Sequence, residues 1–252
     1  MKSSNYTVVF ASDDRGVAQL GVAMYSLFTK ASNATTYRVY VLSSGISGAN
    51  VKRLNELAID KYSRHSIAFI DVSDLTATCS LQVKERGPVT IWTHVFIPNQ
   101  LPEHERFGLY CNIDALVCCD LKELYETLLQ GKSTGVVLEP ASHKGSHFNE
   151  RLGMLLDLDV FRKQDLTRKI LQYAEEYSDT RTCTDQDALN GALCHNIQPM
   201  HPKWNWHDGL TRLTLRRCSK SPMNGGATLE DSVDSALRPG VLYNQGPNMP
   251  WR

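Results

Sequence analysis

The chain of 252 residues contains no apolar run near the ~20 residues that a membrane span requires. Its opening, MKSSNYTVVF, holds no long apolar stretch of the kind that marks a secretory signal. Neither sign of charge is in excess, with 27 Lys+Arg against 27 Asp+Glu. Binding to a phosphate backbone needs a clustered positive surface, so no nucleic-acid partner is expected. Arg212, Arg216 and Arg217 make a small basic patch, read as a solvated face ahead of a phosphate or membrane contact. The seven cysteines show no CxxC spacing, and Cys111, Cys118 and Cys119 lie in or beside an apolar run. Reduced core thiols in a reducing compartment follow, so the expected location is cytoplasmic, with a peripheral membrane contact left open. No GxGxxG follows the first strand, no GxxxxGK[ST] occurs, and no G-x-S-x-G elbow is present. Those absences count against a dinucleotide fold, a P-loop and a serine-hydrolase elbow.

What is present is an alternation of strand and helix patterns. Tyr6–Ala11, Tyr37–Leu42 and Ile67–Val72 are β-rich, and Leu20, Ala23, Met24, Leu27 and Phe28 follow the first at helical spacing. Thr134–Glu139 reads as another strand, and Leu166–Ala174 and Asp185–Leu193 as helices. Asp120, three residues before Glu123, reads as a capping box for a helix through Leu129. This order predicts one α/β domain over 1–252, a mixed and mostly parallel sheet with helices on both faces. The segment 222–252 is crowded with Pro and Gly and is expected to be loop-rich, folding back over the domain.

One stretch raises a question of chemistry. GLYCNIDALVCCDL, residues 108–121, reads as a buried strand interrupted by Asn112 and Asp114. Residues i and i+2 of an extended chain point the same way, so the two could share one hard cation such as magnesium or manganese, or one polar ligand. Equally, they could be strand-end caps that satisfy loose backbone groups. Other polar marks fall at strand ends too: Asp13 and Asp14, then Glu139. Parallel α/β sheets bind ligands beyond those ends.

The ordered set VVFASDD (8–14), RVYVLSSGIS (38–47), FIDVSD (69–74), LYCNIDALV (109–117), FN (148–149), DQDALN (185–190) and GPNMPW (246–251) resembles glycosyltransferase family eight. That is the family of lipopolysaccharide galactosyl- and glucosyltransferases and their glycogenin relatives. The resemblance implies a GT-A fold, a UDP-hexose donor, a manganese ion, a saccharide or glycan acceptor and retention of anomeric configuration. It implies that Ala11 and Asp13, with Ser12 between them, hold the uracil and ribose. It sets the family's DxD on Asn112-Ile113-Asp114, and polar residues of the sugar and acceptor pocket on Glu139 and Asn149. Asp185 and Gln186 match the pair beside the reacting sugar carbon, the Gln as nucleophile or backside stabiliser.

The departures cluster on the donor side. The first DxD acid is Asn112, the usual metal-binding His is Tyr243, and the usual diphosphate-binding Lys is Met249. An Arg usual before Val95-Phe-Ile-Pro98 is His94, and the usual Asn at the uridine site is Arg15. Manganese or magnesium would then be held weakly, by Asp114 with help from Asn112 and doubtful help from Tyr243. Two outcomes are open. In one, the chain is a transferase with little or no metal dependence, in which Arg15 and His94 supply positive charge to the donor phosphates. In the other, it is a degenerate family member that binds a nucleotide, a sugar or a partner. Plain alternatives stand beside several residues: Arg15 as an exposed loop side chain, His94 as a buried hydrogen-bonded histidine, Asp185 as a helix N-cap. Trp204 and Trp206 read either as a wall of the sugar site or as core.

Overall fold

Tyr6-Thr-Val-Val-Phe-Ala11 is apolar on both alternating faces, which suits a strand covered from two sides. In the computed structural model this run is β1 (Ser4–Ser12), at the heart of the main sheet. The structure describes residues 4–59, 62–75, 89–142, 145–148, 153–178, 183–207 and 229–243. β1 pairs in parallel with β2 (Thr35–Ser43) along its whole length and with β4 (Phe107–Tyr110) on its other side. β3 (Ser66–Asp71) extends the parallel run beyond β2. Beyond β4 lie β9 (Met154–Asp157), antiparallel to both its neighbours, then β6 (Thr134–Val136) and β10 (Ile197–Pro199).

Alternate residues of β1 feed two cores. Val8 and Phe10 pack with Leu20, Ala23, Met24, Leu27 and Phe28 of α1 (Val17–Lys30) and with Leu54 of α2 (Gly48–Ile59). Val9 faces the other way, towards Ile170 and Ala174 of the helix Leu166–Ser178 and Leu189 and Leu193 of the helix Asp185–Leu193. Helices therefore cover both faces, as the alternation of elements predicts. The buried stripe of α1 follows the i, i+3, i+4, i+7, i+8 spacing of a surface helix.

Three expectations are corrected. The stretch 108–121 is two strands in two sheets: β4 ends at Tyr110, residues 111–114 form a turn, and β5 (Ala115–Val117) joins a three-stranded sheet with β12 (Val241–Tyr243) and β11 (Trp206–His207). Asn and Asp in such a stretch turn the chain by bonding its backbone, which ends the strand. The expected strand Thr134–Glu139 likewise divides, and its second part, β7 (Leu138–Ser142), pairs with β8 (Gly145–Phe148). The expected helix after Asp120 spans only Lys122–Tyr125. Asp120 does bond Lys122 N, at 2.9 Å, but it also accepts from Ser32 N (2.8 Å), Thr35 Oγ1 (2.7 Å) and Tyr37 Oη (3.1 Å). Its carboxylate staples the start of β2 to the 118–122 turn.

The tail expected to be loop-rich holds the helix Leu229–Leu237 and β12 within its described part. β12 runs antiparallel to β5 and carries the tail's Tyr243 opposite Ala115.

Candidate active site

β1, β2, β3 and β4 are parallel, so Ser12, Ser43, Asp71 and Tyr110 all end on one edge of the sheet. Ligands of open α/β sheets bind beyond that edge. Ala11 is half-buried and Ser12 buried, and the chain turns away in a 3-10 helix over Asp14–Gly16. Asp13 caps that turn: its Oδ1 accepts from Arg15 N (3.0 Å) and Gly16 N (3.1 Å). Its Oδ2 takes a fork from the Arg15 side chain, Nε at 3.0 Å and Nη2 at 2.9 Å. Arg15 and Asp13, both expected to meet the donor, are thus engaged with each other, and the Arg15 side chain is 86% exposed. Asp14 works differently. It accepts from Ser47 N (2.8 Å) and Asn50 Nδ2 (2.7 Å), which ties the turn to the start of α2 and holds its carboxyl below the usual range.

The second strip of the edge is the turn after β4. Asn112 Oδ1 accepts from Asp114 N at 2.9 Å, and Asn112 O accepts from Ala115 N at 3.1 Å. The amide is a backbone cap: the turn needs an acceptor there, not a charge. This turn packs directly on the first one. A Cβ on Gly16 would lie 2.7 Å from both Ile113 Cδ1 and Ser12 Oγ, so a larger residue there requires those two side chains to shift. Strand pairing brings in the third piece. Tyr243 sits opposite Ala115, one residue from Asp114, and His207 sits opposite Tyr243. Both rings are buried.

As a cation site this donor set falls short. A hard divalent ion takes six or more oxygens, several of them from carboxylates. Asp114 offers one carboxylate, the Asn112 oxygen is already engaged by a backbone N–H, and a neutral phenol is a poor ligand. No group of three or more His, Cys, Asp and Glu side chains able to hold a metal gathers among the described residues.

A third cluster lies along the same edge. His94, in the 3-10 helix Val89–Phe96, stacks on Tyr110 with ring centroids 5.3 Å apart. Its Nε2 is 4.0 Å from Asp185 Oδ2, and each side chain is only 3% exposed. The structure places His94 beside a carboxylate, beyond hydrogen-bond reach of it. Asp185 is not the cap of its helix. Thr184 is, in a reciprocal capping box with Asp187, which leaves Asp185 as a buried acid at the first helical position. Gln186 donates Nε2 to Phe148 O at 3.2 Å. Asn190, one turn later, clamps the backbone of the same residue, accepting from Phe148 N (3.0 Å) and donating to Phe148 O (2.9 Å). Glu139 is half-buried in β7, opposite His147, the neighbour of Phe148. The helix Asp185–Leu193 and the β7–β8 hairpin are therefore one unit.

Asn149, Arg212, Arg216, Arg217 and the GPNMPW segment with Met249 and Trp251 lie outside the described residues. Trp204 and Trp206 are buried, and Trp204 belongs to the α1-side core, where a Cβ on Gly240 would come within 2.6 Å of its ring. Two neighbours of the site went unread in the sequence. Asn190 could have been found, since it stands at i+4 from Gln186 on one helix face. His207 could not, because only the β11–β12 pairing brings it beside Tyr243.

The family model described as "Glycosyl transferase family 8" matches residues 7–224. The chain is 24% identical to General stress protein A of Bacillus subtilis (strain 168) over 257 aligned residues, covering 97% of this chain and 86% of that one. It is 19% identical to a putative glycosyltransferase of Haemophilus influenzae over 81% of this chain and 64% of that one. Among solved structures, an active-site mutant of LgtC superposes with a TM-score of 0.80 at 22% identity, over 98% of this chain and 89% of that one. The galactosyltransferase LgtC in complex with donor and acceptor sugar analogs gives 0.78 at 22% identity with the same coverage. The seven-stranded mixed sheet thus has the GT-A fold of those enzymes.

Proposed function

This chain belongs to glycosyl transferase family 8, and from that premise we propose that it is a retaining hexosyltransferase, moving a hexose from a UDP-hexose donor to a saccharide or glycan acceptor. The observation that carries the reading is the buried Asp185 carboxylate, 4.0 Å from His94, at the head of a helix whose next residue, Gln186, is bonded to the Phe148 peptide. Burying an acid is costly, and stability alone gives no reason to keep one on a ligand-binding edge.

The donor's bond from sugar C1 to the β-phosphate oxygen breaks, and negative charge grows on UDP while C1 gains positive character. Gln186 spends Nε2 on Phe148 O, which leaves its Oε1 as the electron-rich end for the sugar carbon. Asp185, held in low-dielectric surroundings beside His94, adds a fixed negative field there. The acceptor hydroxyl bonds to C1 on the face that UDP leaves, and its proton passes to the departing phosphate oxygen. Retention follows from that single face. Glu139 orients the acceptor hydroxyl.

Arg15 supplies the charge for the diphosphate. An exposed ion pair such as Asp13–Arg15 is worth about 0–1 kcal/mol, so the guanidinium fork can exchange a carboxylate for a phosphate when the donor arrives. Asp114 alone would hold a divalent ion weakly, so transfer tolerates a chelator.

The test measures UDP binding by calorimetry and UDP-hexose turnover, each with EDTA and with manganese, and reads the product anomer by NMR. Binding and turnover that survive EDTA, with a product of the donor's own anomeric form, are expected. Failure to bind UDP under either condition would overturn the transferase reading and favour the sugar- or partner-binding alternative.

A further inference from the structure

We propose that the cavity at the opposite edge of the sheet is a second ligand site, for a small sugar-sized anion that presents a phosphate or carboxylate group. The cavity holds about 260 Å³ and is lined by Tyr6 and Thr7 from the start of β1, by Arg38, by Glu105 and Arg106 before β4, and by Tyr125. Tyr6 and Thr7 stand five to six residues before Ser12, where the donor edge begins, roughly 16–20 Å along the strand. The two sites therefore share no residue. The volume lies just below the ~300 Å³ at which drug-sized pockets begin, which suits a small ligand.

The charges decide the sign of that ligand. Glu105 is buried, with 2% of its side chain exposed, and its oxygens are already committed. Oε2 accepts from Thr7 Oγ1 (2.6 Å) and Arg38 Nη2 (2.7 Å), and Oε1 accepts from Tyr40 Oη (3.1 Å). His104 Nε2 stands 3.5 Å from the same Oε1. Little of the acid is left to hold a cation. The arginines are less fully used. Arg38 gives Nη2 to Glu105 and keeps 35% of its side chain exposed, although its Nε–H is closed off from the surface. Arg106 lies over the Phe107 ring at 4.9 Å and reaches Asp157 only at 3.8 Å, with 66% of its side chain exposed. Within the lining two guanidiniums face one committed carboxylate, while Asp157, outside the lining, stands 3.8 Å from Arg106; the guanidinium fork matches phosphate and carboxylate oxygens.

The wall supplies the body of the site. Tyr6 stacks on Tyr125 with centroids 4.5 Å apart, and Tyr125 Oη donates to Thr7 O, which fixes both rings. A wall of tyrosines beside arginines suits an anionic sugar, whose C–H groups pack on the rings while its acid group is read by the guanidiniums.

The experiment titrates the full chain by calorimetry with inorganic phosphate, glucose 6-phosphate, glucuronate and neutral glucose, each with and without saturating UDP. Expected are binding of at least one anionic probe, no binding of glucose, and no competition from UDP. Glucose 6-phosphate against glucuronate distinguishes a phosphate from a carboxylate. Arg106→Gln should weaken binding about tenfold, and so should Arg38→Lys, which keeps a cation on Glu105 but loses the fork. Neither should change UDP affinity. Should Arg38→Lys fail to fold, Arg106→Gln still decides. The proposal is overturned if no probe saturates below about 10 mM, if UDP displaces the probe, or if both variants bind like the parent.

Discussion

Asn112→Asp puts back a carboxylate next to Asp114 and asks whether that turn faces an ion. Asn112 Oδ1 caps Asp114 N at 2.9 Å, so an aspartate can keep the turn with one oxygen and turn a charged oxygen outward in place of the amide nitrogen. Without metal, two carboxylates in one tight turn repel by about 1 kcal/mol in a half-exposed setting, partly offset by the stronger charged cap. At about 2–4 °C per kcal/mol for a chain of this size, the variant should melt a few degrees lower in EDTA. With manganese at a hundred times its dissociation constant, binding adds about 2.7 kcal/mol, or roughly 5–10 °C. The parent, with one acid, should shift by much less. Differential scanning fluorimetry of both proteins in EDTA and in a manganese series measures this, with calorimetry for affinity. If manganese moves the two proteins equally, or moves neither, the turn does not present its side chains to an ion, and the donor-side reasoning fails with it.

Asp185→Asn should cut transfer at least about a hundredfold through kcat, with little change in donor KM, because it removes a field felt at the reacting carbon; single-turnover kinetics decide it. His94→Leu should also lower kcat, since Asp185 loses the group beside it, and an unchanged rate would show that the 4.0 Å pair is only packing. Gly16→Ala should weaken UDP binding a few-fold and cost about 1 kcal/mol, as the Ile113 and Ser12 side chains move aside for the new Cβ; an unchanged melting temperature together with unchanged UDP affinity would refute the contact. Burial would push the Asp120 carboxyl up, but bonds from Thr35 and Ser32 outweigh it and bring it down from 3.8 to about 2. A depressed folded value means its contribution is fully present above the unfolded value near 3.8 and is lost as pH falls through about 2. Solvent screening of this partly exposed group reduces that contribution to about 1–2 kcal/mol, so Asp120→Asn should lower stability by that amount at pH 7 and by much less at pH 2, measured by urea melts.

Much of this protein is written locally. The double-faced apolar run of β1, the i, i+3, i+4 stripe of α1 and the DQDALN helix each follow from spacings within a dozen residues, because burial on a strand or helix face has a period that the chain itself displays. The order of those motifs was enough to identify the family and hence the GT-A sheet. Where the chain would break was not legible. Asn112 and Asp114 are compatible with one continuous strand or with a turn between two, and the choice fell to β12, which arrives from more than a hundred residues away to pair with β5. The same holds for the partners of the site residues. Arg15 folding back on Asp13, His94 meeting Asp185, and Tyr243 standing beside Ala115 and His207 depend on which strands and loops become neighbours. Residue types bound the chemistry each side chain can perform. Distances between them are set only when the sheet closes and long-range pairing has offset the entropy of bringing remote segments together.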